Sequence, residues 1–432
     1  MRNLLCFSVS TAVLASLTSA QMVQVLPSDL ATKDRFGESV SIDSGFLLVG
    51  SKGDDDNGSG SGSAYLFEVP TDSGPAGYEL VKFTANNGKA FDSFGGSVAL
   101  QDGIALIGAK GKDALGNNAG CAYLFDADPS SPTFGTQLAW LLPAGDNLDW
   151  IGCSVALDSG LALVGAQGAD VGAISPGAAF LFDADPSSPT LGQELVKLTA
   201  SDGGDGHNLG CSVSIAGGLA LLGADDATTT GGSTGAAYLF DVNPSSPTFG
   251  AQLTKFVARN GAPGDKFGWS VSLSDGRALV GAPFRDLPWF LYTNFDGAAY
   301  LFDADPSSTT LGVVLTEFLP THTRPHALEL GRSVSLDGRF AALGAPRSDF
   351  RTSTGWRNWK AGTAQIFHAD PSSPVFSNSH SRLHALKPGD FEYFGHSICI
   401  QNGVVAVGTP LDDTGPGKVS GSVHVTRLLD QR

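Results

Sequence analysis

From Phe36 onward the hydrophobic positions of this chain fall in short runs, each closed by glycine or a turn-forming pair. The runs follow a fixed order. First comes an alternating segment such as SVSI, SVAL or SVSL. A tight turn (DSG, QDG, QNG) leads to a continuously apolar run, LALVG or VVAVG. A loop of variable length precedes AAYLF, and the phrase DPSSPT turns the chain into an alternating segment such as ELVKL. Alternation has the period of a strand with one covered face. A continuous short run bounded by turns fits a strand covered on both sides. Each unit is therefore expected to be a four-stranded antiparallel meander, with strands A (SVSL), B (LALVG), C (AAYLF) and D (ELVKL). In AYLFD, Ala and Leu take one face while Tyr and Phe take the other. In DPSSPT, proline fixes φ and Asp or Ser side chains hold the turn by hydrogen bonds. Glycine before strand A and at the end of strand B lets backbone pass where a side chain would clash.

The unit recurs seven times. Its leading glycines are Gly37, Gly95, Gly152, Gly210, Gly268, Gly331 and Gly395, spaced by 57 or 58 residues and then by 63 and 64. One such sheet cannot bury both faces alone. Seven in a ring can, and a ring leaves only short edges. The segment Met22-Val-Gln-Val-Leu26 reads as a strand D but precedes the first unit, whereas the last unit ends at GSVHVTRLL without one. The N-terminal strand is therefore expected to complete the last blade. The fold class is all-β, a seven-bladed β-propeller closed by its own two ends.

The units FGxSV…LVGA…GAAYLF resemble FG-GAP repeats, known from the propeller head of integrin α chains and from many secreted bacterial proteins. The resemblance runs from about Gln21 to Leu429. Integrin-type blades often carry a calcium loop between strands A and B. Here that connection is as short as Leu100-Gln-Asp-Gly-Ile104, without room for the several oxygen ligands calcium takes. The chain looks more like the branch with a short A–B turn and a GDDDNG-type loop after strand B, present as Gly53-Asp-Asp-Asp-Asn-Gly58. Such propellers host many functions, so the resemblance speaks for fold more than for activity.

Composition narrows the setting. Residues 1–20 read as an export signal: Arg2, an apolar stretch from Leu4 to Leu17, and the small residues Thr18-Ser19-Ala20. The mature protein, residues 21–432, is expected to be secreted or extracytoplasmic, with no later membrane-spanning run. Cys121, Cys153, Cys211 and Cys399 remain, too few for a disulfide scaffold; their pairing is open. A formal charge of −17 speaks against nucleic acid or anionic membrane as partner.

Candidate chemistry is sparse. Asp54, Asp55 and Asp56 form either a polar turn or a weak divalent-cation site; no other cofactor is expected. No His-Glu-x-x-His, zinc spacing, Gly-x-Ser-x-Gly elbow or phosphate cradle appears. Units five and six carry long B–C loops. Together with the connection between them, these place Trp289, Phe290, Tyr292, Trp356 and Trp359 on one face, beside Arg285, Arg351, Arg357 and His322. Aromatic rings with arginine suit sugar faces and protein hot spots. The alternative is that these loops pack on each other. The sequence thus supports a non-enzymatic propeller that presents a loop face to an extracellular protein or polysaccharide, integrin-like and adhesive in type. Two other readings stay open: a hydrolase or lyase acting on polysaccharide at the channel mouth, and a structural component of an envelope or matrix. Oligomeric state is open.

Overall fold

In a computed structural model, residues 22–69, 77–114, 118–143, 150–287, 295–321, 328–351, 357–413 and 419–428 are described; the expected export signal lies outside them. Seven four-stranded antiparallel sheets form the blades, and the described residues contain no helix. Blade 1 comprises Phe36–Asp43 (A), Phe46–Ser51 (B), Ser63–Glu68 (C) and Glu79–Phe83 (D). The other blades repeat the order. In blade 7, Ser397–Gln401, Val404–Thr409 and Ser422–Arg427 are joined by Val23–Val25 as strand D. The register there is Val23↔Val425, Gln24↔His424 and Val25↔Val423. The expected latch is thus present. The A strands pack side by side around the axis, and that of blade 7 meets that of blade 1, so the ring is closed.

The phrase AYLF explains how the sheets stack. On blade 1, Ala64 and Leu66 of strand C face Tyr123 and Phe125 of blade 2 in one buried cluster. On blade 4, Tyr238 and Phe240 meet Ala179 and Leu181 of blade 3. In these blades the Ala-Leu face of one sheet receives the Tyr-Phe face of the next, which fills the space between twisted sheets. At the closure, Phe36, Tyr65 and Phe67 pack on Val423 and Val425 of blade 7. Phe36 meets Tyr65 and Phe67 edge-on at 5.6 and 5.8 Å. Fully burying each such ring contributes about 2–3 kcal/mol.

Backbone contact between blades sets the glycines. A Cβ on Gly50 would lie 1.9 Å from the Gly95 carbonyl oxygen. Gly95 itself has φ +81°, a conformation open to glycine at little strain. The Ser of FGxSV bridges the same gap: Ser39 Oγ donates to Gly95 O at 2.9 Å, and Ser97 to Gly152 O at 2.8 Å. The hairpin phrase is organised by the last Asp of strand C. Asp183 accepts from Thr190 at 2.6 Å and from Ser188. Partial burial works against its ionisation, but these hydroxyls hold its pKa below the usual range.

Candidate binding site at the channel mouth

The B–C loops and the D-to-A connections share one end of the ring. Their joint is visible where Phe91 N, before blade 2, donates to Ser59 O in the B–C loop of blade 1. Two residues of every blade ring the axis there. One precedes the FG pair: Arg35, Ser93, Trp150, Asn208, Lys266, Glu329 and Tyr393, all with φ between 51° and 61°. The other follows it: Glu38, Gly96, Cys153, Cys211, Trp269, Arg332 and His396. In each blade the second donates its backbone N–H to the first, at 3.0–3.1 Å. Left-handed backbone at a non-glycine residue costs about 1–2 kcal/mol, and the fold accepts it at all seven blades; Arg35, Ser93, Trp150, Glu329 and Tyr393 line cavities there, while Asn208 and Lys266 meet Asp225 and Asp226 of a B–C loop.

At the seam of blades 6, 7 and 1 these positions are Glu329, Arg332, Tyr393, His396, Arg35 and Glu38, and they enclose a cavity of about 190 Å³. Glu38 pairs with Lys52, and His396 Nε2 lies 3.5 Å away. Burial raises the Glu38 pKa, but His396 and Lys52 outweigh it and hold the carboxyl down to about 2. Arg35 stands 3.9 Å from the same carboxylate. Opposite, Glu329 is 1% exposed and meets Arg347 at 3.0 Å and Arg332 at 3.5 Å. The Arg332 guanidinium stacks on Trp269 at 4.3 Å. Burial depresses its pKa, with the Arg347 charge adding to this against Glu329.

A second cavity of about 270 Å³ opens at the seam of blades 2 and 3, between Phe91 and Trp150, with Lys110, Asn118 and Gln167 at its walls. Phe91 is 70% and Trp150 42% exposed, and both have positive φ. Phe391 takes the equivalent place before blade 7, half-exposed, with Lys360 over its ring at 5.7 Å. Its N–H donates to Trp359 O.

The sequence-derived candidates fare differently. Trp359 is exposed on the loop face, with its N–H on Asp390. Arg285 lies inside blade 5 rather than out on the face; it pairs with Glu317 and covers the Tyr300 ring at 5.4 Å. Trp289, Phe290, Tyr292, His322 and Trp356 lie outside the described residues. Of Arg351 and Arg357 only the backbone is described, paired across a small hairpin in the B–C loop. Phe91, Trp150, Arg332 and Arg347 were not singled out from sequence. Aligning the units and reading the columns that flank FG would have found Trp150 and Arg332.

The acidic turn is organised by a lysine. Asp29, Asp54 and Asp56 converge closely enough to share a cation. Lys82 Nζ sits among them, at 2.6, 3.0 and 2.6 Å. Burial lowers the Lys82 pKa, but the bonds from Asp29, Asp56 and Asp54 push it above the usual range. Tyr65 donates to Asp54 at 2.8 Å, and Asp55 accepts from Gly60 N. Lys82 stands opposite Tyr65 in the strand register; Lys255 takes the same place against Tyr238 and bonds Asp202.

Buried acids two residues before FG recur as loop ties. Asp34 accepts from Ala31 N, Asp92 from Lys89 N and Asp265 from Ala262 N. Glu392 takes the place in blade 7, where burial pushes its pKa up to about 7. Repetition in four blades marks these carboxyls as structural elements.

Four segments, 20–67, 78–125, 193–240 and 251–302, match the FG-GAP repeat model. Each match begins at or before a strand D and ends with the next blade's strand C. The sequence repeat is therefore offset by one strand from the blade, and this offset leaves strand D of blade 7 to the N-terminus. No curated protein matches the chain. The chain thus carries FG-GAP repeats within a seven-bladed β-propeller.

Proposed function

We propose that the chain is an exported, non-enzymatic binding propeller whose loop face holds an extracellular protein or polysaccharide, in the manner of an adhesion module. The carrying observation is the set of exposed rings on that face. Phe91, Trp150, Phe295, Trp359 and Phe391 are each at least 42% exposed there, and among the other described rings Tyr78 and Trp140 reach 40%. Aromatic side chains of this kind supply contact area at little loss of rotamer freedom. Repetition of the buried acids as loop ties argues against reading them as a catalytic pair. The weak divalent-cation reading of Asp54, Asp55 and Asp56 is set aside in favour of the Lys82 ion cluster. A binding screen of the mature protein against arrayed glycans and surface proteins tests the proposal. A partner that is captured by the wild type and lost on Phe91→Ala with Trp150→Ala, or on Trp359→Ala, supports it. Turnover of an arrayed polysaccharide overturns it.

A further inference from the structure

The geometry points to a site for a small carboxylic acid of sugar-acid size in the cavity at the seam of blades 6, 7 and 1. This rests on the reading that the loop face is the binding face.

Charge carries the first step. Arg35, Arg332 and Arg347 line the cavity with Glu38 and Glu329, and Lys52 pairs with Glu38 beside it, four cations to two carboxylates. That local excess of two positive charges stands in a chain of formal charge −17. Elsewhere at the mouth the balance reverses; Lys266 faces both Asp225 and Asp226.

The guanidinium groups are incompletely used. Each carries five N–H donors. Among the described residues, Arg332 has one long contact to Glu329, Arg35 approaches Glu38 only at 3.9 Å, and Arg347 is 41% exposed beyond its pair. Arg332 is fixed by Trp269, so little order is lost when it binds. Planar guanidinium donors match a carboxylate in bidentate geometry.

Size and sign select the ligand. A volume of about 190 Å³ accepts a body near that of a monosaccharide. Pro346, Pro410, Leu411 and Tyr393 give that body apolar walls. A phosphate dianion loses far more solvation on entering this half-enclosed lining than a carboxylate does, and Glu38 and Glu329 oppose each of its charges, so a single carboxylate is favoured over a phosphate ester. A hexuronate, free or at the end of an acidic polysaccharide, meets all three conditions.

The test is calorimetric titration of the mature protein with sodium glucuronate at pH 7 and low salt. Glucose, glucose 6-phosphate and a short oligouronate run beside it. Saturable binding of glucuronate is expected, with glucose and the phosphate ester at least tenfold weaker. Arg347→Gln and Arg35→Gln should each weaken glucuronate at least fivefold with melting unchanged; Arg332→Gln is a third variant, followed by melting because its ring stack is structural. An oligouronate that binds more tightly, and is lost in the same variants, supports a polysaccharide end as the source; equal affinity supports the free acid. Absent glucuronate binding, equal binding of glucose, preference for the phosphate ester, or unchanged affinity in both Arg347→Gln and Arg35→Gln overturns the site. A macromolecular partner still captured by Arg347→Gln would then sink this pocket and leave the loop-face reading standing.

Discussion

Ser397 donates its hydroxyl to the Gly37 carbonyl oxygen at 2.9 Å, across 360 positions of chain. Six equivalent bonds join the other neighbouring blades, from Ser39 to Gly95 through Ser333 to Gly395. The joint where the ring closes thus has the same chemistry as the joints within the chain. Ser397→Ala should lower stability by about 1 kcal/mol, the net worth of one such bond. Gly408→Ala should do far more, because its Cβ would lie 2.1 Å from Gly37 O, a backbone atom that has no room to yield. Denaturant unfolding of both variants, with Ser154→Ala and Gly165→Ala inside the ring as controls, checks this. A neutral Gly408→Ala would mean the closing seam is looser than the rest.

The N-terminal strand is the weakest part of that closure, at three paired residues. Val25 is 1% exposed and sits in the cluster with Phe36 and Val423. Val25→Asp buries an unpaired carboxylate and should remove about 3 kcal/mol or more. Hydrogen exchange should localise the loss to Ser422–Arg427 and Val404–Thr409 first. Uniform loss across all seven blades would show a ring that opens only as a whole.

Two buried groups near the closure give opposite pH dependences. Burial, the main cause, lowers the His424 pKa to about 4. Its unfolded value is about 6.5. The unfolded chain therefore binds the proton that the folded site refuses, and this contribution rises from pH 4 to 6.5 and is complete above. Glu392 is raised to about 7 from 4.5. The folded state then keeps a proton the unfolded chain has lost, so its contribution falls as pH rises from 4.5 to 7. Each amounts to about 3 kcal/mol at most. They nearly cancel between pH 4.5 and 6.5, so the wild type should look flat there. His424→Phe, the residue type at Phe180 of blade 3, should leave stability falling with pH across that window. Glu392→Gln should leave it rising and should add stability at pH 8. Wild-type-like profiles in both variants would refute these assignments.

Binding and packing can be separated on the loop face. Trp359 is 45% exposed, and it meets the connection before blade 7 through its backbone, its N–H on Asp390 and its carbonyl oxygen under the Phe391 N–H. Trp359→Ala should therefore shift melting by less than about 0.5 kcal/mol, as expected of surface positions, while weakening any partner found by screening. Trp140 is a useful contrast. It stacks on Tyr123 at 6.3 Å and 7° on the blade's outer side, so Trp140→Ala should lower stability and leave partner binding intact. Equal stability loss in both would mean Trp359 is a packing residue.

The ring was legible because every joint is written seven times. FG, the serine after it and AYLF each serve one local contact between blades, so repetition alone revealed architecture and latch. The site was less legible for the opposite reason. Trp150 stands two residues before Gly152 and Arg332 one residue after Gly331, at positions where the residue type changes from unit to unit and no repeat points to it. Arg285 misled because a long loop suggests exposure. Its carboxylate partner, Glu317, lies on strand D, and only the cross-strand register Tyr300↔Glu317 brings them together.

That same register decides the acidic turn. Position for position, Tyr65↔Lys82, Tyr238↔Lys255 and Tyr300↔Glu317 place a charged strand D residue over a strand C ring. In blade 1 the charge is a lysine, and it supplies the positive centre that Asp29, Asp54 and Asp56 need. Asp29 and Asp56 are well exposed, and water screens them; Asp54 is buried and is not screened. Lys82→Met should therefore lower stability by about 2 kcal/mol, most of it from Asp54. The vacated centre leaves three carboxylates converging with no cation. Millimolar calcium should then raise the melting temperature of Lys82→Met, whereas the wild type should melt alike with calcium and with chelator. A chelator-induced drop of many degrees in the wild type would show that a metal, and not the Lys82 ammonium, holds this loop.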